Sequence, residues 1–137
     1  MNRSLQTLER RRNIADAAAG IPRVNVALYA CLEEEAAVRP QQVFAALKEY
    51  AEARDWTVLP GATAYDMGSL ETPRAARHTW PSLEALFRER QVSGLLVPDE
   101  SHLAYTSGDR TGWRDWVGQL GVFVVCLPEA LQGRPAA

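Results

Sequence analysis

The sequence of 137 residues predicts an α/β domain: a mainly parallel sheet of four to five strands, helices on both faces, and one helix ahead of the first strand. Three observations predict it. The runs RVNVALYA, VSGLLV and VFVVCL are almost continuously apolar, as strands buried on both faces must be. Segments of helical period lie between them. The alternation of the two kinds calls for right-handed βαβ units, in which each crossover helix covers one face of a parallel sheet.

From Ser4 to Ala19 the spacing predicts a helix, with Leu5, Leu8, Ala15 and Ala18 as a narrow apolar stripe, and Gly20 and Pro22 end it. Arg23–Ala30 is the first strand. Pro40 opens the next helix, because its missing N–H costs nothing in a first turn, and Val43, Phe44, Leu47, Tyr50 and Ala51 carry the period to Arg54. Asp55 takes the exit position, and Trp56–Leu59 is a short second strand. The stretch from Pro60 to Thr79 has no clear period and reads as a long loop. Pro81 sits in the first turn of a helix that turns Leu83, Leu86 and Phe87 inward, and Val92–Val97 is the third strand. Asp109 is placed to cap a helix bearing Trp113, Trp116, Val117 and Leu120, whose spacing makes a core stripe. Val122–Leu127 is the last clear strand and Pro128 closes it. The chain thus divides into a basic amphipathic helix (1–22), an α/β domain (23–129) and a short tail (130–137).

Composition narrows the function classes. Hydrophobic residues at 47% and charged residues at 23% suit a globular protein rather than a disordered one. A net charge of −2 gives no global basic field for a polyanion, although Arg3, Arg10, Arg11 and Arg12 concentrate positive charge near the N-terminus. Cys31 and Cys126 have neither CxxC spacing nor clustered histidines, so a disulfide framework and a zinc site are not expected; both are read as buried thiols at strand ends. No apolar stretch approaches the roughly 20 residues of a membrane span, and the N-terminus has no apolar signal core, so a cytoplasmic location is expected.

An ordered series of motifs carries a family resemblance. RVNVALYACLEEE is followed by a helix ending in YAEARDW, then AYDMGS, WPSLEALF, GLLVPDESHL and LGVFVVCLPE. Over Arg23 to Glu129 this series resembles the catalytic domain of serine recombinases, the resolvase/invertase family, whose fold is a flavodoxin-like α/β sheet. That family reads Y-x-R-x-S on the first strand, then a D-E-G segment, an R-P-x-L helix and D-R-L-x-R. Matched on Tyr29, its first arginine becomes Cys31 and its nucleophilic serine becomes Glu33. Its R-P arginine becomes Trp80, and matched on Asp99 its last two arginines become Glu100 and Leu103, while Asp66 and Asp99 remain. Attack on a phosphodiester needs a hydroxyl nucleophile and cations that stabilise the charge developing on the phosphoryl oxygens. The resemblance therefore implies a degenerate site with no catalytic residues. The ten residues after Leu127 are too few for the family's long dimerisation helix or DNA-binding domain, so neither is expected.

Other groups are read as follows. Glu33, Asp66 and Asp99, with Glu34, Glu35 and Glu100 nearby, form an acidic sheet edge able to attract Mg²⁺ or Mn²⁺, but no spacing motif defines a coordination shell, and no metal or cofactor is expected. His102 beside Ser101 invites a base–nucleophile reading, yet both His78 and His102 are expected on the surface. Arg74, Arg77 and His78 fall in the long loop, and Gly61, Gly68, Gly94 and Gly108 are read as turn residues. Leu5, Leu8, Arg10, Arg11 and Arg12 are the candidate partner-binding residues, by docking to a protein or by self-association through the N-terminal helix. The expected function is a noncatalytic interaction or regulatory module with a protein partner. Two alternatives stand beside it: a metal-dependent phosphate or nucleotide enzyme using the acidic edge, and a DNA-associated accessory protein.

Overall fold

The computed structural model describes residues 24–33 and 38–132. The helix expected over residues 4–19, with its candidate partner-binding side chains, lies outside them, as do Glu34, Glu35 and residues 133–137. Four strands, β1 (Asn25–Leu32), β2 (Thr57–Met67), β3 (Gly94–Val97) and β4 (Phe123–Cys126), form one sheet in the order β2-β1-β3-β4. Every pairing is parallel. This is the flavodoxin-like order that the family resemblance implies.

The central strands β1, from Val26 on, and β3 are apolar because both their faces are covered. Along β1 the side chains alternate between two cores: Ala27, Tyr29 and Cys31 face one, and Val26, Leu28, Ala30 and Leu32 the other. The second core is closed by α1 (Pro40–Ala53), through Val43, Ala46, Leu47 and Ala51. Gln42 accepts a hydrogen bond from the Arg39 backbone N–H at the start of α1, and Asp55, at φ 64°, turns the chain out of it. The first core is closed by α2 (Trp80–Arg88) and α3 (Ser107–Leu120), which supply Trp80, Leu83, Phe87 and Trp113. Among the described residues no helix is long and apolar enough to cross a membrane.

Several expectations are corrected. The second strand does not end at Leu59: it runs to Met67, and the loop begins only at Gly68. Pro60 and Gly61 form a bulge, so that the register passes from Val26↔Val58 to Leu28↔Thr63. Gly61 adopts φ 82° there, and β2 tolerates a proline because it is an edge strand. The cap of α3 is Thr106, whose Oγ1 accepts the Asp109 N–H at 3.2 Å; Asp109 lies in the first helical turn. Gly108 is therefore helical, and Gly94 is a buried strand residue with the Phe123 ring where a Cβ would stand. Cys126 is exposed rather than buried, because β4 is the other edge. Past Pro128 a 3-10 turn, Pro128–Gln132, buries Ala130 against the α1 layer, so ordered chain continues into the segment read as a tail.

Candidate functional site

The carboxyl ends of β1 and β2 and the segment joining β2 to α2 enclose a polar cluster. Register sets Asp66 beside Cys31, and Tyr29 lies two residues earlier on the same face. The Asp66 carboxylate is 6% exposed and fully engaged. Its Oδ2 accepts the Tyr29 hydroxyl at 2.7 Å and the Trp80 N–H at 3.2 Å, and its Oδ1 accepts the Thr79 N–H at 2.7 Å. Those two N–H groups open α2 and have no partner within the helix, so Asp66 caps the helix from the neighbouring strand. Burial raises its pKa, but the hydrogen bonds from Tyr29, Thr79 and Trp80 outweigh that and hold it below the ordinary carboxylate value. Burial, joined by the bond to Asp66, pushes the Tyr29 hydroxyl well above its ordinary value.

Arg77 is buried at 6% exposure. Its Nη1 donates to the Tyr29 hydroxyl at 3.3 Å and to the His102 carbonyl, its Nε to the Thr72 carbonyl at 3.0 Å, and its Nη2 to the Leu70 carbonyl at 3.2 Å. Cation and carboxylate are thus bridged by a phenol. Arg74 donates to the Leu103 carbonyl and lies 5.2 Å from the Trp113 ring centroid. Burial, together with the nearby Arg77 charge, lowers its pKa.

His102, expected on the surface, is 4% exposed. The 3-10 turn Glu100–His102 carries it inward, held by Asp99, whose Oδ2 accepts the Ser101 N–H at 3.1 Å and hydroxyl at 2.6 Å. Its Nδ1 accepts the Cys31 N–H at 2.9 Å, which fixes the neutral tautomer with the proton on Nε2. Burial drives its pKa down to about 4, with Asp99 opposing and Arg77 assisting. The hydrogen bonds from Ser101 hold Asp99 below the ordinary carboxylate value against its partial burial. Burial also raises the Cys31 thiol, which disfavours the thiolate.

These protonation states decide what the cluster can do. The thiol is not activated, the phenol is a donor to a carboxylate, and the lone pair of His102 that would accept a proton already holds a backbone N–H. A cavity of about 730 Å³ opens beside the cluster, between Thr63–Ser69 on one wall and Thr72 with Ala76–Thr79 on the other, with Cys31 at its base.

Solved structures share this architecture. The C-terminal catalytic domain of ISC1926 TnpA, an IS607-like serine recombinase, matches with a TM-score of 0.63 at 17% identity, over 76% of this chain and 67% of that one. The N-terminal catalytic domain of TP901-1 integrase matches with a TM-score of 0.62 at 20% identity, over 77% and 78%. The chain has the fold of a serine recombinase catalytic domain. No protein-family model matches it, and no curated protein does.

Within this serine recombinase-like domain, the positions assigned by the sequence resemblance part company. Cys31 and Asp66 fall in the cluster. Glu33 follows β1 and is exposed. Trp80 is 1% exposed among Tyr29, Phe87, Trp113 and Trp116, and Leu103 is a core side chain. Glu100 points to α3, where Arg114 grips both its oxygens at 2.9 and 3.2 Å. Asp99 serves its own turn. Among the described residues no group of three or more histidine, cysteine or acidic side chains could hold a metal ion. The sequence reading missed Tyr29, Arg77 and His102 as partners. Only the apolar neighbours Leu103 and Ala104 hinted that His102 turns inward.

Proposed function

We propose that this serine recombinase-like domain forms no covalent bond to DNA and acts as a protein-interaction or regulatory module, working in the cytoplasm. One observation carries the reading. Where the resemblance assigns the nucleophile stands the exposed carboxylate of Glu33, while the buried cation of the cluster, Arg77, gives its donors to Tyr29 and three backbone carbonyls. An anion repels a phosphodiester, and a guanidinium bound to fixed internal acceptors cannot follow charge onto a phosphoryl oxygen. Loss of one preorganised donor costs about 3 kcal/mol of transition-state stabilisation, so restoring the hydroxyl alone does not restore the rate.

The test incubates the protein with supercoiled and linear DNA and assays denaturing gels for nicks and protein-linked DNA. Neither the unmodified chain nor Glu33→Ser yields a product. A serine-linked adduct on the unmodified protein overturns the reading. Binding to DNA that weakens steeply with salt, without any adduct, turns it toward a DNA-associated accessory role.

A further inference from the structure

We infer that the free edge of β2 is a docking strand for an extended, uncharged segment of a partner protein. The inference rests on the reading of the domain as an interaction module and specifies the surface and the partner chemistry.

The backbone pattern comes first. Gly68 donates its N–H to the Leu32 carbonyl at 2.9 Å, and the register pairs Ala30 with Tyr65 and Leu32 with Met67. In a parallel ladder this directs the backbone groups of Ala64, Asp66 and Gly68 toward β1 and those of Thr63, Tyr65 and Met67 outward. All three outward residues are exposed, and β2 has no strand on its other side. The Tyr65 carbonyl accepts the Thr79 hydroxyl at 2.9 Å. Among the described residues, the other outward N–H and C=O groups of the three have no partner.

Edge strands are ordinarily protected by lysines, prolines, bulges or a covering element. Here the bulge and proline lie at positions 60 and 61, and the six residues from Ala62 to Met67 contain neither lysine nor proline. Tyr65 and Met67, 44% and 51% exposed, add apolar surface on one side of the strand.

The cavity selects the occupant. Seven consecutive residues, Thr63–Ser69, line it, as expected of a groove running along a strand edge, and Ala76–Thr79 form the opposite wall. Thr79 of that wall meets the strand at the Tyr65 carbonyl, so an added segment must bond to the outward groups of Thr63 and Met67 and to the Tyr65 N–H. Of the ionisable Asp, Arg and His side chains in the lining, Asp66 and Arg77 are bound inward through Tyr29, and His78 is exposed. The groove therefore offers main-chain hydrogen bonds and no carboxylate or guanidinium free to pair with a charged side chain, which suits strand addition by an uncharged peptide.

The test uses the full chain, amide-resolved hydrogen exchange, and the probe peptide acetyl-TVTVTVT-amide. In the free protein the amides of Thr63, Tyr65 and Met67 exchange fast while those of Ala64, Asp66 and Gly68 are protected. With the peptide the first set slows by at least about tenfold and the second set is unchanged. The same peptide N-methylated at alternate residues, and acetyl-KTETKTE-amide, give no slowing. Met67→Pro removes one outward N–H without touching the β1 ladder; it keeps the melting temperature and weakens binding by about fivefold to tenfold. Three results overturn the inference: no slowing with the probe, equal slowing with the methylated peptide, or protection of the outward amides in the free protein. If that last protection rises with protein concentration, a second copy occupies the edge; if it does not, the chain covers its own edge. The DNA-adduct assay is independent, so a failed peptide without an adduct removes the docking strand and leaves the proposed function standing.

Discussion

His102 titrates against the fold. Its ordinary pKa is 6.5 and its folded value about 4, so as pH falls the unfolded chain takes up the proton first. The stability this group provides is complete above pH 6.5 and is lost progressively down to about pH 4, by about 3 kcal/mol in all. Asp66 and Asp99, held below the ordinary carboxylate value, continue the loss at lower pH. Urea unfolding should therefore give a markedly smaller free energy at pH 4.5 than at pH 7. His102→Asn keeps an acceptor for the Cys31 N–H and should flatten that interval; an unchanged slope in the variant would assign the titration elsewhere. Little of this was legible in the sequence. A histidine that follows a glutamate and a serine reads as surface because the residues just before it are polar, whereas its burial is set by a strand 71 positions away. Asp66 and Cys31 were singled out by resemblance to a family pattern, but Arg77 and Tyr29 became part of the cluster only when the sheet brought them together.

Gly94 shows what a strand pairing requires of one position. It is paired in register with Phe123 of β4, whose ring crosses its Cα to reach Trp56 at a centroid distance of 5.0 Å. A methyl group there overlaps the ring, so Gly94→Ala should lower the unfolding free energy by about 1–3 kcal/mol. Adding Phe123→Leu makes room, and the double variant should be less destabilised than the sum of the two single ones. Additive losses in denaturant melts would refute the steric account. The elements themselves were read with uneven success, for a physical reason. Strands β1 and β3, buried on both faces, announce themselves as continuous apolar runs. Strand β2 is an edge strand with a bulge: Pro60 and Gly61 interrupt its pattern, and Thr63, Tyr65 and Met67 face solvent. It therefore lacks the continuous apolar run that marks a strand in sequence, and most of it reads as loop.

For the molecule as a whole, the parallel sheet covered on both faces follows from the alternation of strands and helices, whereas the strand order is what the family resemblance implies. Assembly is the remaining question at this scale. Residues 1–20 combine Leu5 and Leu8 with Arg10, Arg11 and Arg12, a pattern suited to docking in a groove. We expect the chain lacking residues 1–20 to lose self-association or partner capture while its melting temperature stays unchanged, measured by light-scattering chromatography, pull-down and calorimetry. Association that survives the deletion intact contradicts this, and a large drop in melting temperature assigns the segment to the core instead. The two-layer core also bears on how such melts are observed. Trp80, Trp113 and Trp116 pack together within one layer, at centroid distances of 5.3 to 6.4 Å, while Trp56 lies in the other with Tyr50 and Phe123. Intrinsic fluorescence and near-ultraviolet dichroism will thus be dominated by indoles close enough to exchange excitation, all on the α2–α3 side. A Trp56→Phe variant would make the signal report that side alone, and its difference from the parent spectrum would isolate an optical probe for the layer beneath α1.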